Sequence, residues 1–269
     1  MTDADLDLAA RLARLERASE RAETHFSAAF WRALDVAYAA HLPQRRLRCI
    51  VCEREAPHRD WEVLEDHCVF GGGRLERYCC PRCGCVFGPQ KVLDVDEAFM
   101  AREYEMLYAR YSEADLTEDE IRTFHSLRPE PGRLYLDWGC GGGWSRTVDH
   151  LRAEGWDVWG YEPSAQATSP HVVARREEIS ARFDGIFSNN VIEHFREPLA
   201  QFRDFRRILR DGGRMAHASP CYEYSYAHTR FHTLFLLGRS ARVLAERTGF
   251  EVVDEVRKGD YINYVFQAV

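Results

Sequence analysis

The run Leu134-Tyr135-Leu136-Asp137-Trp138-Gly139-Cys140-Gly141-Gly142-Gly143 constrains this chain most: an apolar strand leads into an acidic residue and a glycine-rich turn. Glycines there let the backbone turn tightly and pass close to a ligand, because no Cβ stands in the way. A nucleotide-like ligand can then rest against the exposed N–H groups of the helix expected over Trp144 to Ala153. Two cofactor classes use such a turn. The dinucleotide fingerprint G-x-G-x-x-G, begun at Gly139 and Gly141, needs a third glycine where this chain has Trp144. That argues against a dehydrogenase.

The second half continues in a definite order. The strand Asp157–Tyr161 ends in Glu162, some 20 residues after the turn, where an acidic side chain can accept hydrogen bonds from both hydroxyls of a ribose. Further on come Phe183-Asp184-Gly185-Ile186-Phe187-Ser188-Asn189-Asn190-Val191-Ile192-Glu193-His194 and the glycine turn Leu209-Arg210-Asp211-Gly212-Gly213-Arg214-Met215. The tail reads as two strands joined at Gly259-Asp260. Together with Asp-x-Gly-x-Gly-Gly-Gly, these segments resemble motif I, motif IV and the strand-5 turn of class I S-adenosylmethionine (SAM) methyltransferases, over roughly residues 115–269. The resemblance implies a Rossmann-like α/β domain with a seven-stranded, mostly parallel sheet whose last strand is antiparallel. It implies SAM as cofactor, with Asp137 near the methionine amino group, Gly139, Cys140 and Gly141 in the close backbone passage, Glu162 on the ribose and Asn189 beside the transfer centre. Adenine contacts are expected near Glu177 to Ile179.

The nine cysteines carry a second signal. Cys49-Ile50-Val51-Cys52 and Cys80-Pro81-Arg82-Cys83-Gly84 are two C-x-x-C knuckles with 27 residues between them. Paired thiolates at this spacing present four sulfurs tetrahedrally to zinc. Cys49, Cys52, Cys80 and Cys83 are the expected ligands, with Cys79, Cys85, Cys68 and His67 as neighbours. Four protein ligands leave the zinc no open position, so its expected role is structural, in a segment too small for its own core.

The pairing of a ribbon with motif I resembles bacterial methyltransferases of sugar, natural-product and polysaccharide pathways. Four parts are expected: a helical arm (1–45), a zinc ribbon (46–95), connecting helices (96–130) and the methyltransferase domain (131–269). Thr117-Glu118-Asp119-Glu120 reads as a capping box. In the arm, Leu8, Leu12 and Leu15 share one face, and Phe26, Phe30, Leu34 and Ala37 continue an apolar face. That pattern serves packing on the catalytic domain or a homodimer contact equally well.

The net charge of −7 and the lack of a basic run beyond Arg45-Arg46-Leu47-Arg48 speak against a nucleic-acid substrate. A small-molecule or glycan acceptor is expected instead. No apolar run of membrane-spanning length and no charged-then-apolar leader is present, and the expected location is cytoplasmic.

Transfer of a methyl group to a hydroxyl requires a base. His232, His194 and His228 follow strands 4 and 5, where this fold places its acceptor; relatives of this kind carry pocket histidines, and His232 stands 17 residues before Gly249-Phe250. Tyr222, Tyr224 and Tyr226 at alternate positions would line one face of an extended segment. Two other readings stay open: a zinc-ribbon RNA methyltransferase, and a non-catalytic SAM-binding or scaffold protein.

Overall fold

A computed structural model describes residues 3–109, 111, 114–141, 145–164 and 169–269, with side chains from residue 7 onward. Gly142, Gly143, Trp144 and the stretch 165–168 lie outside the described residues.

The chain opens with helix α1 (Asp3–His41), followed by a cysteine-rich ribbon of short strands. These are β1 (Arg46–Arg48), β2 (Glu55–Pro57), β3 (Glu62–His67), β4 (Arg74–Cys79) and β5 (Val86–Phe87). Helices α2 (Gln90–Asp94), α3 (Glu97–Tyr108) and α4 (Thr117–Ser126) lead into the second half. There β6 (Leu134–Trp138), α5 (Arg146–Ala153), β7 (Asp157–Tyr161), β8 (Val172–Val173), β9 (Phe183–Asn189), α6 (Pro198–Ile208) and β10 (Leu209–Ala218) alternate. β11 (Leu234–Phe235), α7 (Ser240–Thr248), β12 (Phe250–Lys258) and β13 (Tyr261–Ala268) complete the chain.

The main sheet has seven strands in the order β12-β13-β10-β9-β6-β7-β8. β6 pairs in parallel with β7 on one side and β9 on the other, so the strand order reverses at β6. β10 continues in parallel with β9, and β13 runs antiparallel to both β10 and β12. This is the Rossmann-like methyltransferase sheet expected from the motifs. A ligand crevice forms outside the carboxyl ends of the strands where the order reverses, and Asp137, Tyr161 and Asn189 all lie at those ends.

Pattern explains the layers. β6 is buried on both faces, as a central parallel strand is, and reads as an almost continuous apolar run. α6 carries Leu199, Phe202, Phe205 and Ile208 at helical spacing and buries all four in the main core. Each such side chain contributes about 1.5–3 kcal/mol by leaving water. α4 sends Phe124 into a second cluster with Tyr135, Val148 and Phe187.

The ribbon is stitched to the second half. β11 pairs with β5, completing a four-stranded sheet in the order β11-β5-β4-β3. Gly88 N–H donates to Thr233 O, Val69 N–H to His228 O and Arg239 N–H to Cys83 O. Gly84, at φ +86°, sits where a Cβ would lie 2.9 Å from Leu237 O and 3.0 Å from Gly238 Cα. Only glycine allows that backbone approach.

Three local expectations change. Thr117 is the first helical residue of α4 rather than its cap: Leu116 takes the cap position, and Asp115 accepts both the N–H and the hydroxyl of Thr117. The hydroxyl is therefore already used. The Gly212-Gly213 turn belongs to β10 itself, inside an irregularity between Leu209 and Arg214. The tyrosine segment is not extended, because Pro220–Glu223 is a 3₁₀ turn and Tyr224 and Tyr226 have φ of 57° and 55°. Tyr222 instead packs on Tyr264 and Tyr224 on Phe235, leaving Tyr226 exposed.

Candidate functional site

At the carboxyl end of β6, Asp137 is buried and its Oδ2 has no hydrogen-bond partner among the described residues. Burial, with the nearby Glu120 and Glu162 carboxylates, raises its pKa well above the usual range. A buried acid amid two further acids is a place short of a cation. The ammonium group of a methionine moiety has the charge and donors to fill it.

Gly139 and Gly141 follow with φ of +78° and +70°. A Cβ on Gly139 would lie 2.6 Å from Val191 Cγ2, whereas one on Gly141 would meet nothing within 4 Å among the described residues. The first glycine thus lets the motif IV loop close over the turn, and the second leaves an open passage beside the crevice. Glu162 accepts from Gly141 N–H (3.2 Å) and from Ser164 N–H and Oγ (3.0 and 2.7 Å). The Cys140 side chain points away from this passage. Its Sγ packs where a Cβ on Gly160 would sit, and the thiol is buried with its pKa raised. At the end of β9, Asn189 Oδ1 is also buried without a described partner. The donors and acceptors fit a SAM-like ligand: a carboxylate for an amine, an acid at a strand end for ribose hydroxyls, and an open glycine passage. Ser145 caps α5 by accepting from Val148 N–H.

A second group of side chains gathers after β9 and β10. His194 closes the turn Ile192–His194, with Nδ1 2.9 Å from Tyr104 Oη and 3.0 Å from Phe231 O. His232 Nδ1 lies 2.9 Å from Tyr226 O, and the two imidazoles meet edge to face at 5.0 Å. Glu193, buried, completes a cluster in which one potential ligand atom from each residue lies within 4.8 Å of the others. A Nδ1–H donated to a backbone carbonyl fixes the tautomer of His232, leaving Nε2 as the acceptor. Burial, with His194 next to it, lowers the His232 pKa to about 2, so the ring is neutral near pH 7. His228 is exposed and meets Tyr226 edge to face, outside this cluster.

Sequence patterns did not point to the residues that hold this pocket. Arg77 on β4 is buried, and its Nη2 donates to His232 O and Thr229 O. The guanidinium also lies over the Phe235 and Tyr224 rings. Burial lowers its pKa. Arg230 pairs with Glu103 of α3 at 2.6 Å, both almost fully buried, and Trp31 of α1 donates to the same carboxylate. His217, buried on β10, bonds Ser188 Oγ at 2.8 Å and stacks on Phe205.

In the ribbon, Cys49, Cys52, Cys80 and Cys83 are all buried, with their sulfurs within 4.8 Å of one another. Cys49 and Cys83 sulfurs are 3.7 Å apart, and Cys52 and Cys80 sulfurs 3.5 Å. Four thiolates about 2.3 Å from a tetrahedral zinc stand about 3.8 Å apart, so the cluster fits that ion. Hydrogen bonds from Cys49 and Cys83 pull the Cys80 thiol down, while Cys49 and Cys83 are pushed up. Each knuckle closes alike: Glu53 N–H donates to Cys49 O and Gly84 N–H to Cys80 O, with both turn residues left-handed. Cys79 and Cys85 stand outside the quartet, and Cys68 accepts from Arg230.

The model of the methyltransferase-domain family matches residues 108–255, 148 of the 269. The chain belongs to that family and is a SAM-dependent methyltransferase. No curated protein sequence matches it. Among solved structures, it is similar to the 1,6-didemethyltoxoflavin-N1-methyltransferase of Burkholderia thailandensis. The identity is 18% and the TM-score 0.50, over 77% of this chain and 100% of that one. It is also similar to the geranyl diphosphate C-methyltransferase of Streptomyces coelicolor (16%, TM-score 0.43, 68% and 90% covered). A third likeness is to a Haloferax volcanii complex of the Trm112 methyltransferase activator with a putative methyltransferase (13%, TM-score 0.44, 64% and 95% covered). Among the described residues, no helix is long and apolar enough to cross a membrane.

Proposed function

We propose that this methyltransferase acts on a hydroxyl of a small polar acceptor, of the sugar-linked, polysaccharide or secondary-metabolite class, with a histidine as general base. The observation that carries the reading is the His232–His194–Glu193 cluster at the carboxyl edge of the sheet, with His232 Nδ1 fixed on Tyr226 O. When bound, SAM supplies an electrophilic methyl group and needs no further activation from the protein. The protein's part is to hold the acceptor in line and take its proton. In this reading His232 Nε2 accepts that proton only as the acceptor closes on it. Burial and His194 make the free ring a weak base, and the Glu193 carboxylate nearby offsets this by stabilising the imidazolium as it forms. His194, anchored by Tyr104 and Phe231, orients the acceptor and packs against His232. Asp137, Gly139, Gly141, Glu162 and Asn189 hold the cofactor, Cys140 contributing its backbone only. His228 has no part in the chemistry. The ribbon quartet binds one structural zinc, and the ribbon's role is to fix the loop that carries His232.

The net charge of −7 supports a non-nucleic-acid acceptor. The test compares His232→Gln and His194→Gln with the parent. Transfer of labelled methyl into extracted small polar metabolites is measured beside S-adenosylhomocysteine (SAH) affinity. His232→Gln should lose about 100-fold or more in transfer, within the usual worth of a general base, with SAH affinity unchanged. Equal transfer by His232→Gln would remove the base from the proposal, and label in RNA would overturn the acceptor class.

A further inference from the structure

Helix α1 is longer than the body needs. Its second half packs inward through Ser27, Trp31 and Leu34, with Trp31 fully buried and Ser27 and Trp31 both bonded to Glu103. Its first half leaves the body: residues 7–26 are exposed except for Ala13 at the partly buried level. On this helix a strict four-three spacing joins Leu8, Leu12, Leu15, Ser19, Ala22, Phe26, Ala29, Ala33 and Val36, all exposed except the half-buried Ala29. Leu15, Phe26 and Val36 are 67%, 72% and 74% exposed. The structure thus separates Phe26 from Phe30 and Leu34, which turn toward the body, and extends the leucine stripe along the outer face.

A repeat of 3.5 residues is the signature of a two-stranded coiled coil and not of a helix lying on a globular surface. The stripe spans 29 residues, Leu8 to Val36, a rise of about 42 Å along the helix. Flanking charges choose the partner and its direction. With the leucines and Phe26 at the a and d positions, the charged g residues are Arg11 and Arg32, beside Ala18 and His25, and the charged e residues are Glu16 and Glu23, beside Ala9, Phe30 and Ala37. In a parallel pair g faces e, so Arg11 meets Glu16 of the partner subunit. In an antiparallel pair with the stripes fully overlapped, g faces g and e faces e. Arg11 would then meet Arg32 of the partner subunit, and Glu16 would meet Glu23 of the partner subunit. Like charges across such a seam select against that arrangement.

We propose that two copies of this chain associate through a parallel, in-register coiled coil along the outer stripe of α1. The self-complementary charge pattern is what commits the surface to a second copy. The catalytic bodies then sit at the same end of the rod, each packed on the far face of its own helix, with both active-site clusters outside the seam. Ser19 and Ala22 make the middle of the seam thin, so the association is carried by the leucine end and by Phe26.

Sedimentation of the zinc-loaded full chain between 1 and 100 µM tests this. The expected result is a dimer, converted to monomer by Leu12→Glu with Leu15→Glu, while SAH binding and the thermal midpoint of the body stay as in the parent. Leu8→Cys and Leu15→Cys, each tested alone, should both form an inter-chain disulfide under mild oxidation that the parent does not form. A parent that remains monomeric, or a dimer that survives the double substitution, would overturn the proposal. A dimer in which neither cysteine variant crosslinks would overturn the parallel register.

Discussion

Arg77 of the ribbon donates to the backbone carbonyl of His232, 155 residues away in sequence, with Nη2 at 3.0 Å and Nε at 3.3 Å. The same Nη2 lies 2.7 Å from Thr229 O. A buried cation with no carboxylate bonded to it among the described residues is uncommon; here two carbonyls and two aromatic faces take that place. Arg77→Met should leave those carbonyls unpaired, a loss of about 1–3 kcal/mol for each buried polar group stranded. Amide exchange of residues 226–236 should then quicken about tenfold or more, with SAH affinity unchanged. Unchanged exchange in that segment would show that the loop holds itself.

The two glycines of the turn proposed to hold the cofactor should fail differently. Gly139→Ala strikes Val191 and strains a left-handed residue, so it should lower both thermal stability and SAH affinity. Gly141→Ala meets no atom within 4 Å among the described residues. It should lose SAH affinity with only the backbone strain, about 1–2 kcal/mol, showing in stability. Calorimetric titration with SAH and a thermal melt of each variant separate the two.

Zinc should be present at one ion per chain by metal analysis of purified protein. Cys49→Ser and Cys83→Ser should lose it, whereas Cys79→Ser and Cys85→Ser should keep it, since the latter sulfurs lie outside the quartet. Chelation should loosen residues 228–239 through the β5–β11 pairing before it disturbs SAH binding. Retention of metal by Cys49→Ser would remove that residue from the ligand set.

His217 makes stability depend on pH. Burial lowers its pKa to about 3, below the ordinary imidazole value. Between the two values the unfolded ring binds a proton that the folded ring does not. The contribution is complete above the ordinary value near 6.5 and falls as pH drops toward 3, by up to about 1.4 kcal/mol per pH unit. Chemical unfolding at several pH values between 7 and 4 should show a steeper decline for the parent than for His217→Phe. That variant keeps the aromatic packing and loses the Ser188 bond. Parallel curves would refute the assignment.

Much of the fold was legible because it rests on period and turn chemistry. The apolar run of β6, the glycine turn, Glu162 one strand later and the β12–β13 pair all follow from local rules. The gathering of four cysteines was legible because knuckle spacing alone places four sulfurs together. The pocket was legible in part: His194 and His232 meet, while His228 stays outside because its residue is exposed on the loop. What remained hidden depends on distant partners. β11 is two residues long and exists only because β5 lies beside it. Arg77 carries no local sign that its guanidinium reaches Thr229 and His232. Tyr224 and Tyr226 adopt left-handed backbone that alternate spacing of side chains cannot reveal.

The most direct test of the central claim is transfer from methyl-labelled SAM into an extract of the source cells. The products are fractionated into RNA, polysaccharide and small molecules, with Asp137→Ala as control. The expected result is label in the polysaccharide or small-molecule fraction that disappears with Asp137→Ala. Label confined to RNA, or label in any fraction that persists in Asp137→Ala, would contradict it.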